Sequence, residues 1–443
     1  MSYNSISNCE ISNHEISDNA RPVVLDLFAG AGGMSLGFEA AGFEIGASIE
    51  IDPIHCAIHE FNFPYTATIC SNIGDVTLDQ IEKKLLEKRF NHIDVIVGGP
   101  PCQGFSQMGL RQLDDPRNSL VFEYLRLVRH IKPKYFVLEN VKGMILGKHR
   151  NFVTELIAAF ESMGYRIVNP YQVLNAADYG VAQNRLRFIL IGIRADQADI
   201  AYPPPSHTST VQDQSILSLA QHIGSRAAIA NLEQCPVFIE DDAGLPIGDL
   251  EYEGYAEKFN YLPAADFALC HIRNRGHQVI YGHKSPKHNI NSQSRFAATL
   301  PGEIEPISRF FKLHPDRPCH TLRAGTDTKR GSHTAPRPIH YAQPRCISIR
   351  EGARLHSFPD WFQFHLTSWH GFRQIGNAVA PLFAKQIGLE IMKGLGMSPS
   401  QRSQRVLAQS DENLLRINMK DACKYFNVAE DIIGKRQRKK KAL

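Results

Sequence analysis

Residues 22–43 read "PVVLDLFAGAGGMSLGFEAAGF". The apolar run Val23–Leu27 has the character of a buried strand, and Gly30, Gly32 and Gly33 follow it at once and open a helical pattern. Glycines in such a turn tolerate positive φ and let the backbone approach a ligand, while the helix N-terminus behind them offers unpaired N–H groups. The next apolar run, "EIGASIEID", closes on Glu50, twenty residues after Gly30. An acidic side chain there meets the two ribose hydroxyls of a bound nucleoside. The glycine spacing of a dinucleotide fingerprint is not completed, which disfavours NAD. A Gly-rich loop taken alone is also simply a tight turn, so Glu50 carries the reading.

Outward from this unit the same rhythm continues. "IDVIVGG", "YFVLENV" and "RFILIGI" are further strand-like runs, and "LDQIEKKLLEKRF" and "NSLVFEYLRLVRHI" place apolar residues every three to four positions. Strand and helix alternating up to about residue 194 predict an α/β fold with a mainly parallel sheet. From 195 to 345 the rhythm fails and Pro, His, Arg, Asn and Gly rise, which predicts a second, smaller, irregular domain. Residues 346–374 read as a connecting segment around "REGARLHSFPD", and 375–395 as a long helix returning to the first domain. Residues 1–20 are polar and expected to be disordered, and 396–443 form an extension. Its bland reading is a packing helix with a loose basic end; a small helix–turn–helix is the alternative. Six Lys or Arg among residues 435–441 are placed to meet phosphates.

Composition bounds the function. The 443 residues carry a net charge of only +4, so charge distribution matters more than the total. Nine scattered cysteines without zinc spacing indicate reduced thiols, a cytosolic protein and no metal site. No apolar run approaches a membrane span, and the first twenty residues lack the apolar core of a signal peptide.

Four side chains then stand out. Cys102 lies in "GGPPCQGFSQMG" (98–109), where Pro100 and Pro101 stiffen the backbone before it and Gly104 loosens it afterwards. Such a base presents a nucleophile; a lone cysteine is otherwise a small buried hydrophobe. Glu139 ends the run "YFVLENV", and Arg185 and Arg187 open another in "QNRLR". Either could be a surface charge alone, but strand ends are where a parallel sheet gathers its chemistry.

The stretches "DLFAGAGG", "GGPPCQGFS", "LENVKGM", "QNRLRFILIG", "REGARLHSFPD" and "QIGNAVAPLFAKQIG" occur in this order. Together they resemble the ordered motifs of the DNA (cytosine-5)-methyltransferases of bacterial restriction–modification systems, over residues 21–194 and about 345–395. The one visible departure is His356, where the family more often has Gln. The resemblance implies a Rossmann-like S-adenosylmethionine-dependent methyltransferase sheet with a target-recognition domain inserted at 195–345. It implies Cys102 as nucleophile, Glu139 at N3 and the amine of cytosine, Arg187 at O2, and Arg185 on a phosphate or the catalytic loop. S-adenosylmethionine would be held by Phe28, Ala29, Gly30, Gly32, Gly33, Glu50, Ile51, Asp75, Val76, Pro100, Asn377 and Ala378. DNA would be met by Gln103, Ser106, Gln183, Thr321, Leu322, Arg323, Lys329 and Arg330, with Thr321-Leu322 resembling the Thr-Leu signature of family recognition domains. The implied partners are double-stranded DNA and a restriction endonuclease that shares the site without a stable complex, the enzyme itself being a monomer. Two rival functions stay open at this level: an enzyme with the same motifs acting on tRNA, and a regulator that has kept the fold without the chemistry.

Overall fold

The β-branched and aliphatic runs become strands because each can be covered on both faces, as a parallel sheet requires. The computed structural model describes residues 21–101, 119–146, 149–209, 219–235, 244–246, 271–273, 279–284, 286–324, 337–399, 405–407 and 410–433. The main sheet comprises β1 (Val23–Leu27), β2 (Glu44–Glu50), β3 (Ala67–Cys70), β4 (Val95–Gly98), β5 (Tyr135–Val141), β6 (Tyr165–Ile167), β7 (Gln172–Asn175) and β8 (Leu186–Arg194). Its order is β3-β2-β1-β4-β5-β8-β6, with β7 also on β8. The first five strands in this order are parallel, and β8 returns antiparallel between β5 and the β6/β7 edge.

Helices α1 (Gly33–Ala40), α2 (Pro53–Asn62), α3 (Leu78–Glu87), α4 (Ser119–Ile131) and α5 (His149–Ser162) interleave with these strands. Then come α6 (Ser225–Ile229), α7 (Ile290–Ala298), α8 (Ile349–Leu355), α9 (Ser368–Asn377), α10 (Pro381–Gly394) and α11 (Met419–Tyr425). Alternate residues of β1 face opposite cores. Val24 joins the cluster that holds Phe38, Ile58, Phe358 and Phe383, whereas Leu25 and Leu27 join the one that holds Leu85, Tyr124 and Phe160.

The expected helix over 375–395 is two helices. α9 ends at Asn377, the backbone extends at Ala378 and Ala380, and α10 restarts with Pro381 at its first position, which an uninterrupted helix could not accept. α10 does pack back as expected: a Cβ at Gly37 of α1 would stand 2.8 Å from Lys385 N, so glycine permits the close crossing. Residues 346–374 are more than a connection. Ile347, Leu355, Phe358, Phe362 and Phe364 are buried in the first core cluster, and Ser348 caps α8 in a reciprocal box with Glu351.

Candidate active site

The sheet turns its order between β1 and β4, since β1 leads outward to β2 and β3 and β4 outward to β5. Ligands bind at the carboxyl ends of strands flanking such a switch. Two sequence-predicted loops leave here: Phe28–Gly32 after β1 and Gly99–Pro101 after β4.

The first loop is strained and tied. Phe28 is held at φ 59°, a conformation few non-glycine residues adopt, and Gly30 and Gly32 follow at φ 57° and 100°. The Glu50 carboxylate spans the loop: Oε2 accepts from Gly30 N at 2.9 Å, and Oε1 from Ile51 N at 3.0 Å and Asp52 N at 2.9 Å. A Cβ built on Gly30 would meet nothing within 4 Å, so the loop borders open space at Gly30. That fits a nucleoside. A Cβ on Gly33 would press within 2.9 Å of the Ala378 Cβ, so the extended Ala378–Ala380 segment closes directly on the start of α1. Ile51, Asp75 and Asn377 are exposed around this region. Val76 is not available to a ligand as expected: its side chain is buried, its N–H donates to Ile73 O, and its carbonyl accepts from Arg126.

Beneath the loop lies a polar chain that the sequence reading missed. Asp26 Oδ2 accepts from Ser35 N at 3.1 Å and Ser35 Oγ at 2.6 Å. Because Ser35 gives its only proton to Asp26, it accepts from His59 Nε2 at 3.1 Å, leaving Nδ1 to accept from Ser48 Oγ at 3.3 Å. Burial pushes Asp26 up to about 7 despite Ser35, and pulls His59 down to about 3, so the imidazole is neutral at pH 7. The one signal in the sequence was a carboxylate inside an otherwise apolar strand.

At the second loop, close packing fixes the backbone. A Cβ on Gly99 would stand 2.6 Å from Glu139 Oε2, so glycine leaves room for the carboxylate. Asn140 Nδ2 donates to Pro100 O at 2.9 Å and ties the loop to β5. Glu139 at the end of β5 pairs with Arg187 Nε on β8 at 2.5 Å, their side chains only 13% and 11% exposed. Cys102, Gln103 and Ser106 lie outside the described residues, as do Lys329, Arg330 and the basic stretch 435–441.

Arg185, two residues before Arg187, does not reach a phosphate. It is 2% exposed, and its guanidinium donates to the carbonyls of Leu322 at 3.0 Å and of Gly376 and Ala378 at 2.8 Å each. Gln183 is fully buried rather than facing DNA: Oε1 accepts from Leu322 N at 3.0 Å and Nε2 meets His356 Nδ1 at 2.9 Å. Leu322 is itself buried in the core, and Thr321 Oγ1 donates to Asn184 O at 2.7 Å. The Thr-Leu segment therefore forms a seam between two parts of the chain, with Leu322 buried in it and Thr321 half-buried at its edge. Arg323, the next residue, is exposed. Among the described residues, no group of three or more His, Cys, Asp or Glu side chains could hold a metal ion, and no helix is long and apolar enough to cross a membrane.

The family model for C-5 cytosine-specific DNA methylases matches residues 23–393. The type II methyltransferase M.XorII of Xanthomonas oryzae pv. oryzae is 48% identical over 424 residues, covering 94% of this chain and 95% of its own. M1.HphI of Haemophilus parahaemolyticus is 32% identical over 378 residues, covering 83% and 86%. A crystal structure described as a DNA modification methyltransferase encoded within an E. coli prophage covers 85% of this chain and 99% of its own, at 30% identity and a TM-score of 0.66. With a switch-point loop pinned by Glu50 and a Glu139–Arg187 pair beside the Pro-Pro turn, these matches converge: the chain belongs to the C-5 cytosine-specific DNA methylase family and is a DNA (cytosine-5)-methyltransferase.

Proposed function

We propose that the enzyme methylates C5 of one cytosine within a specific duplex sequence, through a covalent adduct of Cys102 on a base rotated out of the helix, as the modification half of a restriction–modification system. The observation that carries this reading is the nearly buried Glu139–Arg187 pair packed against the Gly99–Pro100 backbone, two residues ahead of Cys102. C5 lies within a stacked pair, so the base must leave the duplex to reach such a cleft. The Cys102 thiolate adds to C6, and the C5–C6 π electrons move onto C5. Glu139 gives or shares a proton at N3, which accepts the charge that addition would otherwise build on the ring. Arg187 pairs with Glu139 through Nε and would hold the O2 side of the base. When bound, S-adenosylmethionine supplies an electrophilic methyl group. Phe28, Gly30, Glu50 and Asp75 would hold its nucleoside, and the segment at Asn377 would close the pocket. Loss of the C5 proton to water then re-forms the C5–C6 double bond and expels the thiolate.

Residues 195–345 are read as the target-recognition domain, with Arg323 among its exposed cations. The reading carries with it a monomeric cytoplasmic enzyme and a separate endonuclease that cuts the unmethylated site. The test uses Cys102→Ser, which should lose methyl transfer and keep cofactor binding. Bisulfite sequencing of DNA from cells expressing the parent should show one methylated motif and none with the variant, while duplex carrying 5-fluorocytosine at that motif should be trapped on Cys102 alone. Turnover by the variant, or an adduct mapped to another cysteine, refutes the mechanism.

A further inference from the structure

The family match ends at residue 393, yet the chain beyond it returns across the molecule. Strand Arg405–Leu407 pairs in parallel with strand His271–Arg273 of the 195–345 region, and Glu412 Oε1 accepts from Tyr281 OH at 3.4 Å. From that anchorage the segment runs onto α2. Ser410 Oγ donates to Phe61 O at 2.8 Å, and Tyr425 OH to Glu60 Oε1 at 2.8 Å. It also holds the loop before α9, where Leu366 N donates to Leu415 O at 3.0 Å and His365 Nε2 to Ile417 O at 3.0 Å. Leu414, Leu415, Ala422 and Cys423 are buried by this docking.

Helix α2 begins three residues after Glu50, and its first turn is built on the same backbone that Glu50 grips: Asp52 caps the helix and donates its N–H to Glu50. Asp52 is in turn paired with Arg373 of α9 at 2.5 Å, and the Cys56 thiol of α2 donates to Glu50 O at 3.4 Å. A shift of α2 along its axis therefore moves Glu50 relative to Gly30. We propose that residues 410–433 are a positioning element for the cofactor pocket, with Ser410 and Tyr425 the residues that fix α2, and with the strand pair as the end anchored on the recognition region. The inference rests on the assignment of Glu50 to the cofactor ribose.

The full-length enzyme tests it. Ser410→Ala combined with Tyr425→Phe removes two partly exposed hydrogen bonds and keeps both apolar surfaces. The KM for S-adenosylmethionine should rise about 3- to 10-fold with kcat unchanged, as two such bonds incompletely transmitted would give. Glu60→Ala should raise it in the same direction, whereas Glu60→Gln keeps an acceptor for Tyr425 and should leave it at the parent value. Iodoacetamide mapping gives a second readout: Cys423 should become reactive in the double variant while buried Cys319 and Cys346 stay protected. An unchanged KM, a fall in kcat instead, or loss of protection at Cys319 and Cys346 overturns the proposal. If calorimetry shows that the parent itself does not bind S-adenosylmethionine, the ribose assignment falls and this inference with it. Equal binding by parent and variant removes only the inference.

Discussion

Arg185 and Arg187 share a strand face and a charge, and the structure gives them unrelated work. Arg187 holds a carboxylate at the mouth of the cleft, and Arg185 joins three backbone carbonyls inside the seam. His356 belongs to the same seam. Its Nδ1 accepts from Gln183 Nε2 at 2.9 Å, so Nε2 carries the proton that Ala378 O receives at 3.0 Å. Burial, reinforced by Arg185, holds this imidazole well below its ordinary range and therefore neutral. One acceptor and one donor are all the site demands, and a glutamine offers the same pair. His356→Gln should therefore stay within about 1 kcal/mol of the parent, while His356→Ala, which strands two buried partners, should cost about 2 kcal/mol or more. Urea unfolding of both variants decides this, and the activity of His356→Gln should follow the parent's pH profile between 6 and 8. The motif made His356 and Gln183 visible in the sequence, but not that they face each other, because 173 residues separate them.

At the scale of elements, α8 shows where apolar periodicity misleads. Arg350, Glu351 and Arg354 on this short helix are all buried, and each is answered: Arg354 by Asp360 at 2.6 Å, Arg350 by the carbonyls of Pro359 and Phe362, Glu351 by both terminal nitrogens of Arg345. Burial alone would raise the Glu351 carboxyl, but the hydrogen bonds and charge of Arg345, with His283 and His340 nearby, more than reverse it and hold it at about 2. A carboxyl depressed in the folded state stabilises the fold above its unfolded value near 4.5, and that stability is lost as pH falls toward 2. The contribution is about 3 kcal/mol at neutral pH. Glu351→Gln should lower stability at pH 7 by about that amount, since the buried Arg345 loses its counter-charge, and should flatten the loss between about pH 4.5 and 2. Unfolding titrations across that window measure both. The strands β1, β2, β4, β5 and β8 were legible from their apolar runs, even the four-residue β4. β3, β6 and β7, of three or four residues with mixed polarity, were not, because pairing with a neighbour rather than their own pattern makes them strands.

Over the whole molecule, the ordered motifs announced which residues would gather at the switch point, and Glu50, Glu139 and Arg187 do so. What joins distant parts was invisible, since the strand Arg405–Leu407 pairs with His271–Arg273 more than a hundred residues away and Leu322 looked like part of a DNA-reading loop. Under the proposed reading of residues 195–345 as the recognition region, a change of target replaces that region, and Cys319 and Leu322, which are buried and tied to the segment 182–184, must still fit whatever surrounds Gln183 and Arg185. Two chimeras carrying a relative's residues 200–345 would show it, one of them retaining this chain's Cys319, Thr321 and Leu322. Both should methylate the donor's site, and only the retaining one should melt at the parent's temperature; parent-site methylation by either would move specificity elsewhere. If the chimeras behave so, the region works as a reading head on a fixed coupling: what lies before Cys319 and beyond Leu322 can be replaced to change the target, while the joint has to be kept with the catalytic sheet it fits.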